Sequence, residues 1–253
     1  QDMNKFYSLN IKEIIRETEQ AVSISLDVPE NLKDIFSFKA GQYITLKTVI
    51  DGKEVRRAYS LSSAPDTNTY KVTVKEVEGG TFSVLANNKF KAGDTLEVHP
   101  PEGKFIFEPG NTKYNYAAFA AGSGITPVLS IIKTMLQKEP ESKFVLVYGN
   151  KTPDDTIFFK ELLALQMKYP ERLFIEFVYS RTQEENAHFG RIENVPYSCQ
   201  GGICSSCIAR VTEGKAEMAK NQILTDSEIA EGLILTCQAH PLTPNLKVDY
   251  DDV

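Results

Sequence analysis

Four cysteines fall in the last 55 residues of this 253-residue chain, spaced Cys199-x4-Cys204-x2-Cys207-x29-Cys237. The first three lie in a loop of small residues, Ser198-Cys199-Gln200-Gly201-Gly202-Ile203-Cys204-Ser205-Ser206-Cys207. Three thiolates from one loop and a fourth from far along the chain is the spacing of a [2Fe–2S] cluster. Backbone must approach the sulfides closely, which Gly and Ser permit, and loop N–H groups can donate to sulfur. Two other uses of the thiols compete. Disulfides are disfavoured because residues 1–10 lack the apolar core of a signal peptide. Structural zinc prefers two separated Cys-x2–4-Cys knuckles, and here only one partner is remote.

Two glycine turns could hold phosphates. Gly80-Thr81-Phe82-Ser83 opens a short helical stretch, and a Gly turn before a helix start presents free N–H groups to a pyrophosphate. The plain alternative is a hairpin turn with a Ser/Thr cap. Ala120-Ala121-Gly122-Ser123-Gly124-Ile125-Thr126-Pro127 follows an apolar run and opens a longer helix. Gly122 and Gly124 permit a tight turn and close approach of a dinucleotide, and Pro127 suits a first helical turn. Its plain alternative is a strand–helix turn with no ligand. Tyr179-Ser180-Arg181 ends a later strand, where ligands of open α/β sheets sit. Ser180 and Arg181 there look like a clamp for the 2′-phosphate of NADP(H), since Arg pairs well with phosphate. A solvated Ser-Arg pair is the alternative, so NADH stays open. Arg191 is a weaker second candidate, and His99, His188 and His240 show no metal-ligand spacing.

The elements that must position these residues fall into three stretches. In the first hundred residues, apolar and polar types alternate over 6–15, 21–28, 43–49, 55–61 and 70–77, separated by turn signals such as Asp51-Gly52. That spacing predicts an antiparallel β-barrel or sandwich, interrupted by a helix over 82–87. From Pro109-Gly110 the pattern changes to strand 116–121, helix 128–136, strand 144–148, helix 157–167 and strand 173–179. Strands alternating with helices predict an α/β domain with a parallel sheet. After Gly190-Arg191-Ile192 no fourth strand follows, and the chain enters the cysteine loop. The expected domains are 1–108, 109–194 and 195–253.

Composition narrows the function classes. Hydrophobic residues make up 42% and charged residues 25%, which excludes a mainly disordered chain. No apolar run reaches the eighteen or so residues of a membrane helix, so membrane insertion is not expected. The net charge of −6 gives no basic footprint for nucleic acid. Residues 195–253 hold four basic and eight acidic residues, so they supply −4 of that charge. An acidic module of this kind docks on a basic partner face. A cytoplasmic location is expected.

Residues 196–253 resemble plant-type ferredoxin domains. Arg57-Ala58-Tyr59-Ser60, ending a strand, resembles the Arg-x-Tyr-Ser motif of the ferredoxin–NADP reductase superfamily. Gly80-x-x-Ser83 follows in the family's order, and Phe38-Lys39-Ala40-Gly41-Gln42-Tyr43 precedes it as the family's structural turn. The resemblance implies that Arg57 pairs with a flavin phosphate and that Tyr59 offers its face to the isoalloxazine. It implies that Ser60 hydrogen-bonds near flavin N5. It also implies that Gly80, Thr81 and Ser83 hold the pyrophosphate of FAD rather than FMN. Gly122, Ser123, Gly124, Thr126 and Pro127 correspond to the nicotinamide loop. Within the superfamily the chain resembles the phenylacetyl-CoA epoxidase reductase group, near the ketosteroid-hydroxylase reductases. The implied activity is electron transfer from NADPH through FAD and a [2Fe–2S] cluster, held by Cys199, Cys204, Cys207 and Cys237, to an oxygenase component. The implied architecture is multidomain: β-barrel flavin domain, parallel-sheet nucleotide domain, β-grasp-like ferredoxin domain.

The chain departs from that family at one place. The nucleotide portion has three strands where the family has about five, and it lacks the late Cys-Gly-Pro motif. The ferredoxin portion begins just before its first Cys, without the usual upstream hairpin and helix. A single loss of about a hundred residues within 191–195 explains both deficits. A natural deletion would leave exposed sheet edges and open cores, so the expectation is of residues omitted there. A bonded Cα–Cα spacing of about 3.8 Å from Asn194 to Val195 would count against it. If the loss is real, nicotinamide binding is lost too, leaving an iron–sulfur electron carrier or redox-sensing module.

Overall fold

The computed structural model describes residues 5–111, 113–192, 208–219, 221, 224–235, 239–243 and 247–249. The chain divides into two compact units, 1–196 and 197–253.

The first unit begins with β1 (Tyr7–Thr18), β2 (Ala21–Asp27), β3 (Tyr43–Ile50), β4 (Lys53–Ser60), β5 (Tyr70–Lys75), α1 (Phe82–Asn88) and β6 (Thr95–Glu102). The six strands form one antiparallel sheet in the order β4-β3-β6-β1-β2-β5. Asp51 and Gly52 both take positive φ (50° and 76°), the two-residue turn whose twist suits the β3–β4 hairpin. An isolated bridge between Leu61 and Val72 ties the chain just past β4 to β5, at the opposite end of the strand order. Alternate residues Leu9, Ile11, Val22, Ile24, Ile44, Leu46, Val72, Val74, Leu96 and Val98 make one buried core. Each side chain of this size contributes about 1.5–3 kcal/mol on burial.

The unit continues with β7 (Asn115–Ala121), α2 (Ile125–Lys138), β8 (Lys143–Asn150), α3 (Phe159–Lys168), β9 (Leu173–Tyr179) and β10 (His188–Phe189). These four strands are parallel, in the order β10-β9-β8-β7. The fourth strand corrects the sequence-based expectation of three. At two residues it is too short to leave an alternation. Helix α3 starts later than the pattern suggests because Phe158 is left-handed (φ 63°), which turns the backbone before the helix. Ile125, Val128, Leu129, Ile132 and Met135 of α2 bury against Leu146 and Tyr148 of the sheet. Arg172 donates to the carbonyls of Leu136 and Glu139, which satisfies the C-terminal end of α2. On the other side of the sheet Phe119, Val145 and Phe174 are 46%, 38% and 38% exposed. Among the described residues, β7 has a strand neighbour on one side alone.

The second unit has β11 (Ile208–Glu213), β12 (Ala216–Met218), α4 (Asp226–Ala230), β13 (Leu233–Leu235), β14 (Ala239–Pro241) and β15 (Lys247–Asp249). It forms an antiparallel sheet β13-β11-β15 and an antiparallel pair β12-β14. Leu224, Leu233 and Leu235 form its small core, packed by Ile208 and Met218. A reciprocal cap between Thr225 and Glu228 starts α4. Among the described residues no helix is long and apolar enough to cross a membrane.

Candidate cofactor sites

The end of β4 carries the first cluster. Register pairs Ile44 with Tyr59 and Tyr43 with Ser60. Ser60 is 5% exposed, and among the described residues its hydroxyl has no hydrogen-bond partner. A buried hydroxyl left unsatisfied costs about 1–3 kcal/mol, so this one has room for a polar atom that the described residues do not supply. The edge of a flavin ring fits that need. The half-buried Tyr59 ring lies 5.6 Å from that of Phe82, the first residue of α1. Burial pushes the Tyr59 phenol up from its ordinary pKa, opposed by the Arg57 charge. Arg57 donates from Nη1 to the Arg56 carbonyl.

The Gly80 turn is tight. A Cβ there would lie 2.4 Å from Ser83 Oγ and 2.9 Å from the Val77 carbonyl oxygen. Ser83 Oγ accepts from the Val77 amide at 3.1 Å, which closes the turn ahead of α1. Thr81 occupies the cap position and makes no side-chain cap bond.

The second cluster is built on the parallel sheet. Gly122 takes φ 49°, and Gly122–Gly124 forms a single 3-10 turn leading into α2. Tyr148, fully buried, donates its hydroxyl to the Gly122 carbonyl at 2.9 Å. Burial pushes that phenol well up, so it stays a donor. Thr126 donates to the Ser123 carbonyl at 3.1 Å, and Pro127 is buried in the first turn of α2. A Cβ on Gly122 would lie 3.7 Å from Lys75 Nζ, so the glycine loop stands beside the end of β5. Ser180 and Arg181 follow β9, and their amides donate to the Asn150 and Lys151 carbonyls at 3.0 Å each. Both thus sit at the carboxyl ends of β8 and β9. Arg181 and Arg191 are exposed.

The structure joins the two clusters through residues that sequence reasoning missed. Ser130, fully buried in α2, donates to the Ser63 carbonyl at 2.6 Å. Lys133 donates to the Ser62 carbonyl at 3.2 Å and pairs with Glu161 of α3 at 2.6 Å. Burial lowers the Lys133 pKa more than the Glu161 charge raises it. Apart from this join, Lys138 and Asp66 pair at the exposed surface. Ser130 interrupts the apolar run Val128-Leu129-Ser130-Ile131-Ile132, and that lone polar residue was the available signal.

Cys199, Cys204, Cys207 and Cys237 lie outside the described residues, as does the Asn194–Val195 spacing. Among the described residues no three His, Cys, Asp or Glu gather as a metal site.

Three family models match the chain in order. They are an oxidoreductase FAD-binding domain over 8–107, an oxidoreductase NAD-binding domain over 119–203 and a 2Fe-2S iron-sulfur cluster binding domain over 189–242. One component of the 1,2-phenylacetyl-CoA epoxidase of Escherichia coli is 31% identical over 351 residues, covering 98% of this chain and 99% of the relative. The ferredoxin reductase component of 3-ketosteroid-9-alpha-monooxygenase from Rhodococcus rhodochrous is 30% identical, covering 96% of each. Phthalate dioxygenase reductase shares the fold, with a TM-score of 0.55 at 21% identity over 96% of this chain and 98% of that one. The first alignment runs over 351 residues against the 253 present here, so that relative carries about a hundred residues without a counterpart. Together these define an oxidoreductase that uses FAD, a nicotinamide dinucleotide and a 2Fe–2S cluster. The chain belongs to the same family as the 1,2-phenylacetyl-CoA epoxidase component.

Proposed function

We propose that the chain is the NADPH-dependent reductase component of a multicomponent oxygenase acting on phenylacetyl-CoA or a similar aromatic or steroid substrate. The observation that carries this reading is the near end-to-end alignment with two such components, in one FAD–NAD–2Fe-2S order. The buried, unpartnered Ser60 hydroxyl supports the flavin site independently of any relative.

In this reading Arg57 binds a flavin phosphate, Tyr59 covers the ring and Ser60 donates to its edge. Gly80, Thr81 and Ser83 hold the pyrophosphate at the start of α1. Gly122, Ser123, Gly124, Thr126 and Pro127 hold the nicotinamide nucleotide, with Tyr148 fixing the loop from beneath. Ser180 and Arg181 take the 2′-phosphate of NADPH. Cys199, Cys204, Cys207 and Cys237 ligate the iron. Bound, these cofactors supply the conversion between a two-electron donor and a one-electron acceptor. The flavin sheet closes as a barrel through Leu61 and Val72, and the second unit is a β-grasp. The domains run 1–108, 109–194 and 195–253. The segment by which the relative exceeds this chain falls within Arg191–Val195, inside the stretch 189–203 where the nucleotide and iron–sulfur family matches overlap.

Anaerobic mixing with NADPH tests the reading. The flavin absorbance is expected to bleach first and the cluster absorbance after it. Cluster colour with no flavin bleaching would overturn it in favour of a plain electron carrier. Cys237→Ser is expected to abolish the cluster absorbance and leave FAD bound, because the flavin core is separate from the second unit.

A further inference from the structure

We infer that Ser130 and Lys133 are positioning residues that fix the nicotinamide loop against the flavin strand, through two backbone carbonyls just past Ser60. The inference rests on the flavin and nicotinamide sites proposed above and adds the device that aligns them.

The geometry is specific. Helix α2 starts directly on the Gly122–Gly124 turn, so any rotation of α2 moves that loop. Ser130 and Lys133 are three residues apart and so project from one face of the helix. That face meets the segment after β4. Ser130 Oγ donates to the Ser63 carbonyl and Lys133 Nζ to the Ser62 carbonyl. The receiving segment is itself held. The Leu61 amide donates to the Gln42 carbonyl at 2.9 Å, the Ser62 amide to the Lys71 carbonyl at 2.8 Å, and Ser63 Oγ to the Thr69 carbonyl. Ser60 is therefore joined to β3 and β5 within three residues of the carbonyls that α2 grips. Lys133 also pairs with Glu161, so α3 shares the fixation. Ser62, Ser63 and Ser130 are all buried, so water does not compete for these bonds.

Transfer between two rings demands contact at about 3–3.5 Å, and a misplacement of about 1 Å costs roughly a hundredfold. Two bonds at the base of the loop-bearing helix set that spacing without touching either cofactor. A merely structural pair would alter stability and leave ring alignment unchanged.

The test uses the full chain with FAD and cluster loaded. Ser130→Ala is expected to lower the saturating rate of flavin reduction about tenfold to a hundredfold. The nucleotide dissociation constant should stay within about threefold, since the loop contacts remain. The long-wavelength charge-transfer absorbance between nicotinamide and flavin rings should weaken in parallel. In the protein without nucleotide, hydrogen exchange should accelerate at the amides of 61–64. Ser130→Thr, which keeps the hydroxyl, should restore the exchange pattern. Lys133→Met repeats the measurement should Ser130→Ala fold poorly. Lys138→Ala, which removes an exposed pair with Asp66, is the control expected to change none of these readouts. Unchanged exchange, or an unchanged saturating rate with an unchanged charge-transfer band, overturns the inference. If neither nucleotide reduces the parent flavin while dithionite does, the proposed function fails, and the exchange result alone decides the coupling.

Discussion

In the six-stranded sheet, Leu46, Val72, Val74 and Val98 are each fully buried, and the two outermost strands of the order are tied by Leu61 and Val72. In the four-stranded sheet, Leu146 is fully buried on one face while its neighbour Val145 is 38% exposed on the other. Phe119 and Phe174 extend that open face, and β7 leaves one edge without a strand among the described residues. Parallel sheets ordinarily have both faces covered, because their crossover helices fall on both sides. Among the described residues, the flavin sheet is thus packed over one core, and the parallel sheet carries its helices on one face.

The strongest test of the flavin half is Gly41→Ala. Gly41 takes φ 98°, and a Cβ there would lie 2.2 Å from the Phe105 carbonyl oxygen. Backbone strain and a backbone clash together should cost about 3 kcal/mol or more, read as loss of bound FAD and a lower urea midpoint. The matching change in the nucleotide half is Gly124→Ala. Gly124 has φ −61° with open space around its Cβ, so the fold should tolerate the change within about 0.5 kcal/mol. Weakened NAD(P)H binding by this well-folded variant would mark the loop as a nucleotide site. Intact binding would return it to a plain strand–helix turn.

The two faces of the parallel sheet can be compared directly. Leu146→Ala should cost about 2–5 kcal/mol, because α2 covers that side. Phe119→Lys should cost no more than about 0.5 kcal/mol, because its side chain already meets water. A loss at Phe119 comparable to that at Leu146 would mean that the open face is covered in solution.

Next in size is the effect of Arg181→Ala. Its dissociation constant for NADPH should rise roughly ten- to hundredfold, the worth of about 1.5–3 kcal/mol for a charge-assisted contact. NADH, which lacks the phosphate, should lose far less. Equal losses would move Arg181 to a pyrophosphate or structural role.

Much of this contrast was legible in the sequence, for physical reasons. Period-two alternation reports a half-buried strand, and the five strands read from it reappear within a few residues. The short β10 and the displaced start of α3 were hidden because a two-residue strand has no period and Phe158 gives no sign of its left-handed backbone. The order of flavin, nucleotide and iron–sulfur segments came from motifs whose glycines and cysteines are fixed by chemistry. Ser130 left one signal, a lone polar residue in an apolar run, but what it and Lys133 bind was hidden, because their acceptors are backbone carbonyls, which carry no sequence signature. Ser60 could be named from its motif, but the lack of a partner for its hydroxyl among the described residues is a property of the packed fold.

The smallest expected effect concerns the junction between the halves. Glu139, at the end of α2, is buried, and it accepts from Ser142 Oγ at 2.7 Å, the Gly110 amide at 2.8 Å and the Tyr116 hydroxyl at 3.0 Å. Burial alone would raise its pKa, but those three donors outweigh it and hold the carboxyl below the ordinary range. The same contact, with burial as the larger cause, pushes the Tyr116 phenol up to about 12. A carboxylate with a lowered folded pKa contributes stability that is fully present above its unfolded pKa, about 4.3. That contribution is lost as pH falls through the folded value. Glu139→Gln should therefore be less stable than the parent at pH 6–7, and the gap should narrow as pH falls below about 4. Thermal melts across that range, followed by flavin release, check the convergence. Because Gly110 belongs to the segment leading from β6 into β7, the variant should loosen the join between the two halves while each keeps its own core. A gap that stays constant down to pH 3 would show that the site is held by hydrogen bonds indifferent to the carboxyl charge.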